Sequence, residues 1–158
     1  MKKYCLDTNI FIEPWNRFYS IKFTKGYWEI LESLAKKEIV FSTIEVKKEI
    51  EKIDDSLNTW LKDKSFFKNP DQTVQENMRE IMKNYPRLVS AEKGRSIADP
   101  WVIAHARSEK ATVVTLEQKA VKSGQIKIPD VCKKEEIECI DIYDLIKHLK
   151  IEFTAKIK

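Results

Sequence analysis

The chain has 158 residues, of which 42% are hydrophobic and 34% charged, with a net charge of +4 and an isoelectric point near 8.8. That length fits one domain spanning 1–158 with a sizeable core, and the composition excludes a disordered chain. No apolar run is long enough for a membrane span or a signal-peptide core, so the expectation is a cytoplasmic protein whose basic balance leans toward polyanionic partners.

Tyr4-Cys5-Leu6 reads as a short buried strand that runs straight into Asp7. Thr8 or Asn9 can cap the helix-periodic stretch that follows, Ile10, Phe11, Ile12, Trp15 and Phe18. Gly26 opens a second helical pattern on Tyr27, Trp28, Ile30, Leu31 and Leu34 that ends near Lys37. Ile39-Val40-Phe41 is a short strand, after which Ser42-Thr43 caps a helix bearing Ile44, Val46, Ile50 and Ile53. A polar helical insertion occupies about 55–90, broken at Asn69-Pro70 and closed by Pro86; it is a candidate lid or partner surface. Residues 98–108 form a helix with Pro100 in its first turn, and Thr112-Val113-Val114-Thr115 is the next strand. Residues 126–128 and 137–140 are short extended runs, and Asp141 caps a last helix through Leu149. Strands alternating with helices predict an α/β fold: a three-layer α-β-α sandwich around a central parallel sheet of four or five short strands.

Three cysteines, Cys5, Cys132 and Cys139, form no C-x-x-C pair and read as buried free thiols. The only histidines, His105 and His148, lie in separate predicted helices, so a structural zinc site lacks ligands. With three glycines and neither G-x-G-x-x-G nor a P-loop, a nucleotide-binding enzyme of the dinucleotide type is disfavoured.

Four acids fall at equivalent places in this scheme. Asp7 and Glu117 follow strands, while Glu49 and Asp99 lie in helices that start from the same sheet edge, where open α/β sheets place their chemistry. Glu45, one turn before Glu49, competes with it for the second position. Four converging carboxylates repel one another unless a cation neutralises them, and an oxygen-only donor set selects Mg²⁺ or Mn²⁺. Such a site activates water against a phosphodiester. Asn9 and Thr115 are placed to orient the carboxylates or to act as caps, with Thr8 no better placed than they are. The tryptophans read as packing, His105 as a helix residue outside the chemistry, and Lys47, Lys48 and Lys52 as a solvated helix face within reach of phosphates.

The segments YCLDTNIFI, STIEVKKEI, ADPWVIAHA and TVVTLEQ resemble, in order and spacing, the four acidic motifs of PIN-domain nucleases over roughly residues 3 to 120. The ending IKIPDVCKKEEIECIDIYDLIK is similar to that of an uncharacterised PIN-like branch with an Ile-Pro-Asp-x-Cys segment. The resemblance implies an Mg²⁺- or Mn²⁺-dependent endoribonuclease cutting single-stranded RNA, with Asp7, Glu49, Asp99 and Glu117 as catalytic residues and metal ligands. It also implies a toxin role beside a protein antitoxin, and a homodimer. Glu117 departs from the aspartate usual in the family, and the insertion is unusual. Two alternatives stand beside this reading: a catalytically degenerate PIN-like domain that binds RNA or protein, and an aspartyl phosphatase. For the latter, Asn9 stands where a second aspartate is needed.

Overall fold

A computed structural model of the chain describes residues 1–89 and 97–158; Gly94 and the far end of the 55–90 insertion lie outside them. The strands are β1 (Tyr4–Leu6), β2 (Val40–Thr43), β3 (Phe67–Lys68), β4 (Thr112–Val114) and β5 (Cys139–Ile140). They form one sheet in the order β3-β2-β1-β4-β5, and every pair is parallel. Short apolar runs suit this arrangement, because a parallel sheet is covered on both faces and β1, β2 and β4 are buried along their whole length.

The register separates the two faces. Cys5 pairs with Phe41 and Val113, and Val113 with Cys139. This row faces α6 (Asp99–Glu109), where the Cys5 thiol donates to the Val102 carbonyl at 3.6 Å and the Phe41 ring meets His105 edge-on at 6.5 Å. Tyr4 faces the other way, its hydroxyl 3.4 Å from Nδ1 of His148 in α8 (Ile142–Leu149). The three-layer α-β-α sandwich predicted from the alternation of elements is the observed fold, with five strands.

The first helix, α1 (Asn9–Glu13), runs without a break into a π-turn at Pro14–Phe18. It is followed by α2 (Lys25–Lys36) and, after β2, by α3 (Ile44–Ile53). Thr43, not Ser42, caps α3, accepting from the Glu45 amide; the Ser42 hydroxyl instead bridges strands by donating to the Leu6 carbonyl at 2.6 Å. Trp28 is fully buried and meets Trp15, Trp60 and Tyr27 at 5.2, 5.3 and 5.4 Å, so these tryptophans pack as expected.

The 55–90 region, read as a helical insertion and a candidate lid or partner surface, is largely helical but also supplies a strand. It contains α4 (Asp55–Leu61), then β3 at the sheet edge, then α5 (Gln72–Asn84). Leu57, Leu61, Phe66, Val74 and Ile81 from this stretch are buried in the core, so it completes the sheet and one helical layer. The predicted extended run 126–128 is also corrected: Ile128 is the first residue of α7 (Ile128–Lys134), because Pro129 fits a helical first turn and Asp130 accepts from the Lys127 amide. Among the described residues no helix is long and apolar enough to cross a membrane.

Candidate active site

With all strands parallel, their C-terminal ends share one edge of the sheet. The chain runs outward through β2 and β3 on one side of β1 and through β4 and β5 on the other, so the order reverses between β1 and β4, where such sheets form a crevice. Asp7 stands at this point. Its amide donates to the Val114 carbonyl at 3.0 Å, extending the β1–β4 pairing by one residue and fixing the side chain at the crevice floor.

The Asp7 carboxylate is 3% exposed. One oxygen accepts from the Thr8 amide at 2.7 Å, the other from the Thr115 hydroxyl at 2.8 Å. Burial pushes its pKa up to about 7; the Thr115 and Thr8 bonds oppose the rise, while the charges of Glu117 and Glu49 add to it.

Thr115 is a hub. While donating to Asp7, its oxygen accepts from the Asn9 side-chain amide at 3.3 Å and from the Glu117 backbone amide at 3.0 Å. The Asn9 side-chain oxygen accepts from the Leu116 amide at 3.0 Å. Asn9 and Thr115 therefore lace α1 to the end of β4.

Neither Thr8 nor Asn9 caps α1 with its side chain. Thr8 holds helical dihedrals, and its hydroxyl donates to Glu49 at 2.6 Å. The other Glu49 oxygen accepts from the Ala98 amide at 3.2 Å. Glu49 thus spans from α3 to both the β1 end and the start of α6. In the sequence Thr8 stands no better placed than its neighbours; its signal is adjacency to Asp7, masked by the fact that threonine is an ordinary cap.

Asp99 is the first residue of α6, 3% exposed, where the helix N-terminus favours negative charge. Glu117 lies in the loop after β4, with one carboxylate oxygen accepting from the Ile128 amide at 3.1 Å. All four acids line a single cleft of about 570 Å³. Glu45 also lines it, paired with Lys48 at 3.0 Å, and Lys52 stands a turn farther along α3. Ile12, Ile53 and Ile97 form an apolar wall.

Among the described residues no three His, Cys, Asp or Glu side chains are gathered closely enough to constitute a formed metal site. The hydrogen bonds of Glu49 and Glu117 to Thr8, Ala98 and Ile128 show where their carboxylates are held instead. His105 faces Phe41 and is 2% exposed; burial lowers its pKa, and it does not line the cleft. Cys5 and Cys132 are buried free thiols as expected, but Cys139 is only partly buried.

A family profile described as a domain of unknown function, DUF4411, matches residues 4–153. No curated protein matches the chain. Among solved structures, VapBC2 from Rickettsia felis, bound to a DNA fragment from their promoter, is similar with a TM-score of 0.51 and 19% identity, over 87% of this chain and 97% of that one. VapBC-1 from nontypeable Haemophilus influenzae is similar with a TM-score of 0.51 and 14% identity, over 87% of this chain and 96% of that one. At these identities the likeness is one of fold, and that fold is PIN-like.

Proposed function

The chain belongs to the DUF4411 family, and on that footing we propose that it is a divalent-cation-dependent endoribonuclease of the PIN-like type, hydrolysing single-stranded RNA. The observation that carries this reading is that Asp7, Glu49, Asp99 and Glu117 all line one cleft at the switch point of the sheet. The donor set fits a hard cation: every candidate ligand is a carboxylate, and the Asp7 carboxyl is raised by burial and further by the charges of Glu117 and Glu49, which a cation would offset. Asp7 and Asp99 would hold Mg²⁺ or Mn²⁺ from the cleft floor, with Glu49 and Glu117 from its two sides. When bound, the cation supplies an activated water and charge neutralisation at the phosphate.

The chain's own groups set up this chemistry. Thr115 and the Thr8 amide lock the Asp7 carboxylate in one orientation, and Thr8 with Ala98 does the same for Glu49. Lys48 and Lys52 on the cleft wall offer positive charge to backbone phosphates. Asn9, in amide form and bonded to Thr115 and Leu116, stands where an aspartyl phosphatase needs its second acid, which disfavours that chemistry.

The PIN-like resemblance and the VapBC neighbours favour a toxin role, with a protein antitoxin covering the cleft and a homodimeric assembly. The engagement of Glu117 with the Ile128 amide favours one alternative, a degenerate domain that binds RNA or protein without cutting. Cleavage assays separate the two. Wild type should cut RNA with Mn²⁺ and not with EDTA, and Asp7→Asn and Asp99→Asn should each lose roughly 100-fold or more, since charge stabilisation of several kcal/mol is removed. Equal cleavage by all three proteins would sink the assignment.

A further inference from the structure

Glu117 differs from the aspartate of the PIN pattern, and the structure gives its longer arm a use. Residues 118–127 leave the cleft at Glu117 and return to it at Ile128, whose amide donates to the Glu117 carboxylate at 3.1 Å. The loop is further pinned by Asp130, which accepts from the Ala120 and Lys127 amides at 3.1 and 2.9 Å. Arg87 supports its far side, donating to the Gly124 carbonyl at 3.2 Å. Gly124 has φ +78°, the left-handed region that favours glycine, and the Arg87 side chain packs over it. The segment is therefore a loop of defined shape whose two ends meet at a cleft carboxylate, in the manner of an Ω-loop.

Its charge is one-signed. The ten residues 118–127 carry Lys119, Lys122 and Lys127 and no acid. Lys119 and Lys122 are exposed, and none of the three makes an ion pair among the described residues. The loop follows β4 on one side of β1, while Lys48 and Lys52 belong to α3, which follows β2 on the other side. Lys48 and Lys52 line the cleft, and the loop lysines follow β4 outside that lining, so a polyanionic strand that leaves the carboxylates on the β4 side meets positive charge.

Resting on the RNA reading above, we propose that residues 118–127 are a phosphate-binding arm for the single-stranded substrate, latched to the cleft by Glu117. Glu117 is then a positioning residue for the arm in addition to lining the cleft.

The test is equilibrium binding of a fluorescent single-stranded RNA in EDTA, where no cation engages Glu117 or supports cleavage, titrated with salt. The logarithmic salt slope of Lys119→Gln/Lys122→Gln should fall by about 1.4, two contacts at about 0.7 each. Lys37→Gln/Lys110→Gln removes the same charge at the opposite edge of the sheet, ahead of β2 and β4, and should keep the wild-type slope. Glu117→Ala removes a negative charge, which by charge alone strengthens RNA binding; loss of the latch should weaken it. Glu117→Gln keeps an acceptor for the Ile128 amide and should bind at least as well as wild type. An unchanged slope in the loop variant, an equal fall in the control, tighter binding by Glu117→Ala, or no RNA binding by wild type would each overturn the arm. Wild type that shows these signatures yet does not cleave RNA supports the arm and removes the nuclease reading.

Discussion

At the scale of single residues, the most consequential group is Asp7, because its environment works against its charge. In the cation-free protein its carboxyl, ordinarily near 3.8, is pushed up to about 7, first by burial and then by Glu117 and Glu49. The folded state therefore keeps a proton that the unfolded chain has already released between about pH 4 and 7. The folded state binds more protons over that window, so stability falls as pH rises through it, by on the order of a few kcal/mol in total. His105 has the opposite sign: buried and lowered, it loses stability as pH falls toward and below 6.5. Melting curves in EDTA isolate Asp7, because His105 is common to wild type and Asp7→Asn and cancels in their difference. Wild type should lose stability relative to Asp7→Asn from about pH 4 to 7; a difference that is flat, or that grows in wild type's favour, counts against the raised carboxyl. The acids themselves were legible from their spacing after strands and at helix starts. Thr8 was not, because its role depends on a hydroxyl crossing to Glu49, a residue 41 positions away in the chain.

At the scale of elements, the long apolar-patterned pieces were readable and the short ones were not. β1, β2, β4 and the helices after them announce themselves by apolar runs and caps, and Asp141 caps α8 by accepting from the Asp144 amide at 2.9 Å. β3 has two residues, and Phe66-Phe67 beside Trp60 and Leu61 fits a helical face as well as a strand. What makes it a strand is the neighbour: Ser42 donates its amide to the Phe66 carbonyl at 2.7 Å, a contact no local pattern encodes. The start of α7 is hidden for a related reason, since it depends on Glu117 and Asp130 reaching amides across a loop. The corrected role of the insertion has a direct consequence. Phe66 is fully buried and meets Phe11 edge-on at 5.4 Å, so Phe66→Ala should cost about 3–5 kcal/mol. For a chain of this size that corresponds to a fall in melting temperature on the order of 10 °C, measured by circular dichroism. A lid packed loosely on the surface would lose about 1 kcal/mol or less at the same position.

At the scale of the whole molecule, a protein of net charge +4 concentrates acids in its one switch-point cleft, and the fold and the cleft make opposite demands there. Packing favours a neutral Asp7, whereas the proposed chemistry needs it ionised beside Asp99. The proposed divalent cation would resolve the conflict by binding only the folded arrangement, which would link cleft occupancy to global stability. At pH 8, Mn²⁺ at about 100 times its dissociation constant should stabilise wild type by about 2.7 kcal/mol. That is roughly 5–10 °C in melting temperature, and EDTA should reverse it. Asp7→Asn is spared the cost of the buried charge and has lost a proposed ligand, so its melting temperature should rise by less than about a third of the wild-type increment under the same conditions. Asp54→Asn, a change in the cap of α4 outside the cleft, should respond as wild type does, because its carboxylate is occupied by the Leu57 amide, Asn16 and Ser56. An equal Mn²⁺ response in all three proteins would place the cation elsewhere on the surface and separate Asp7 from it.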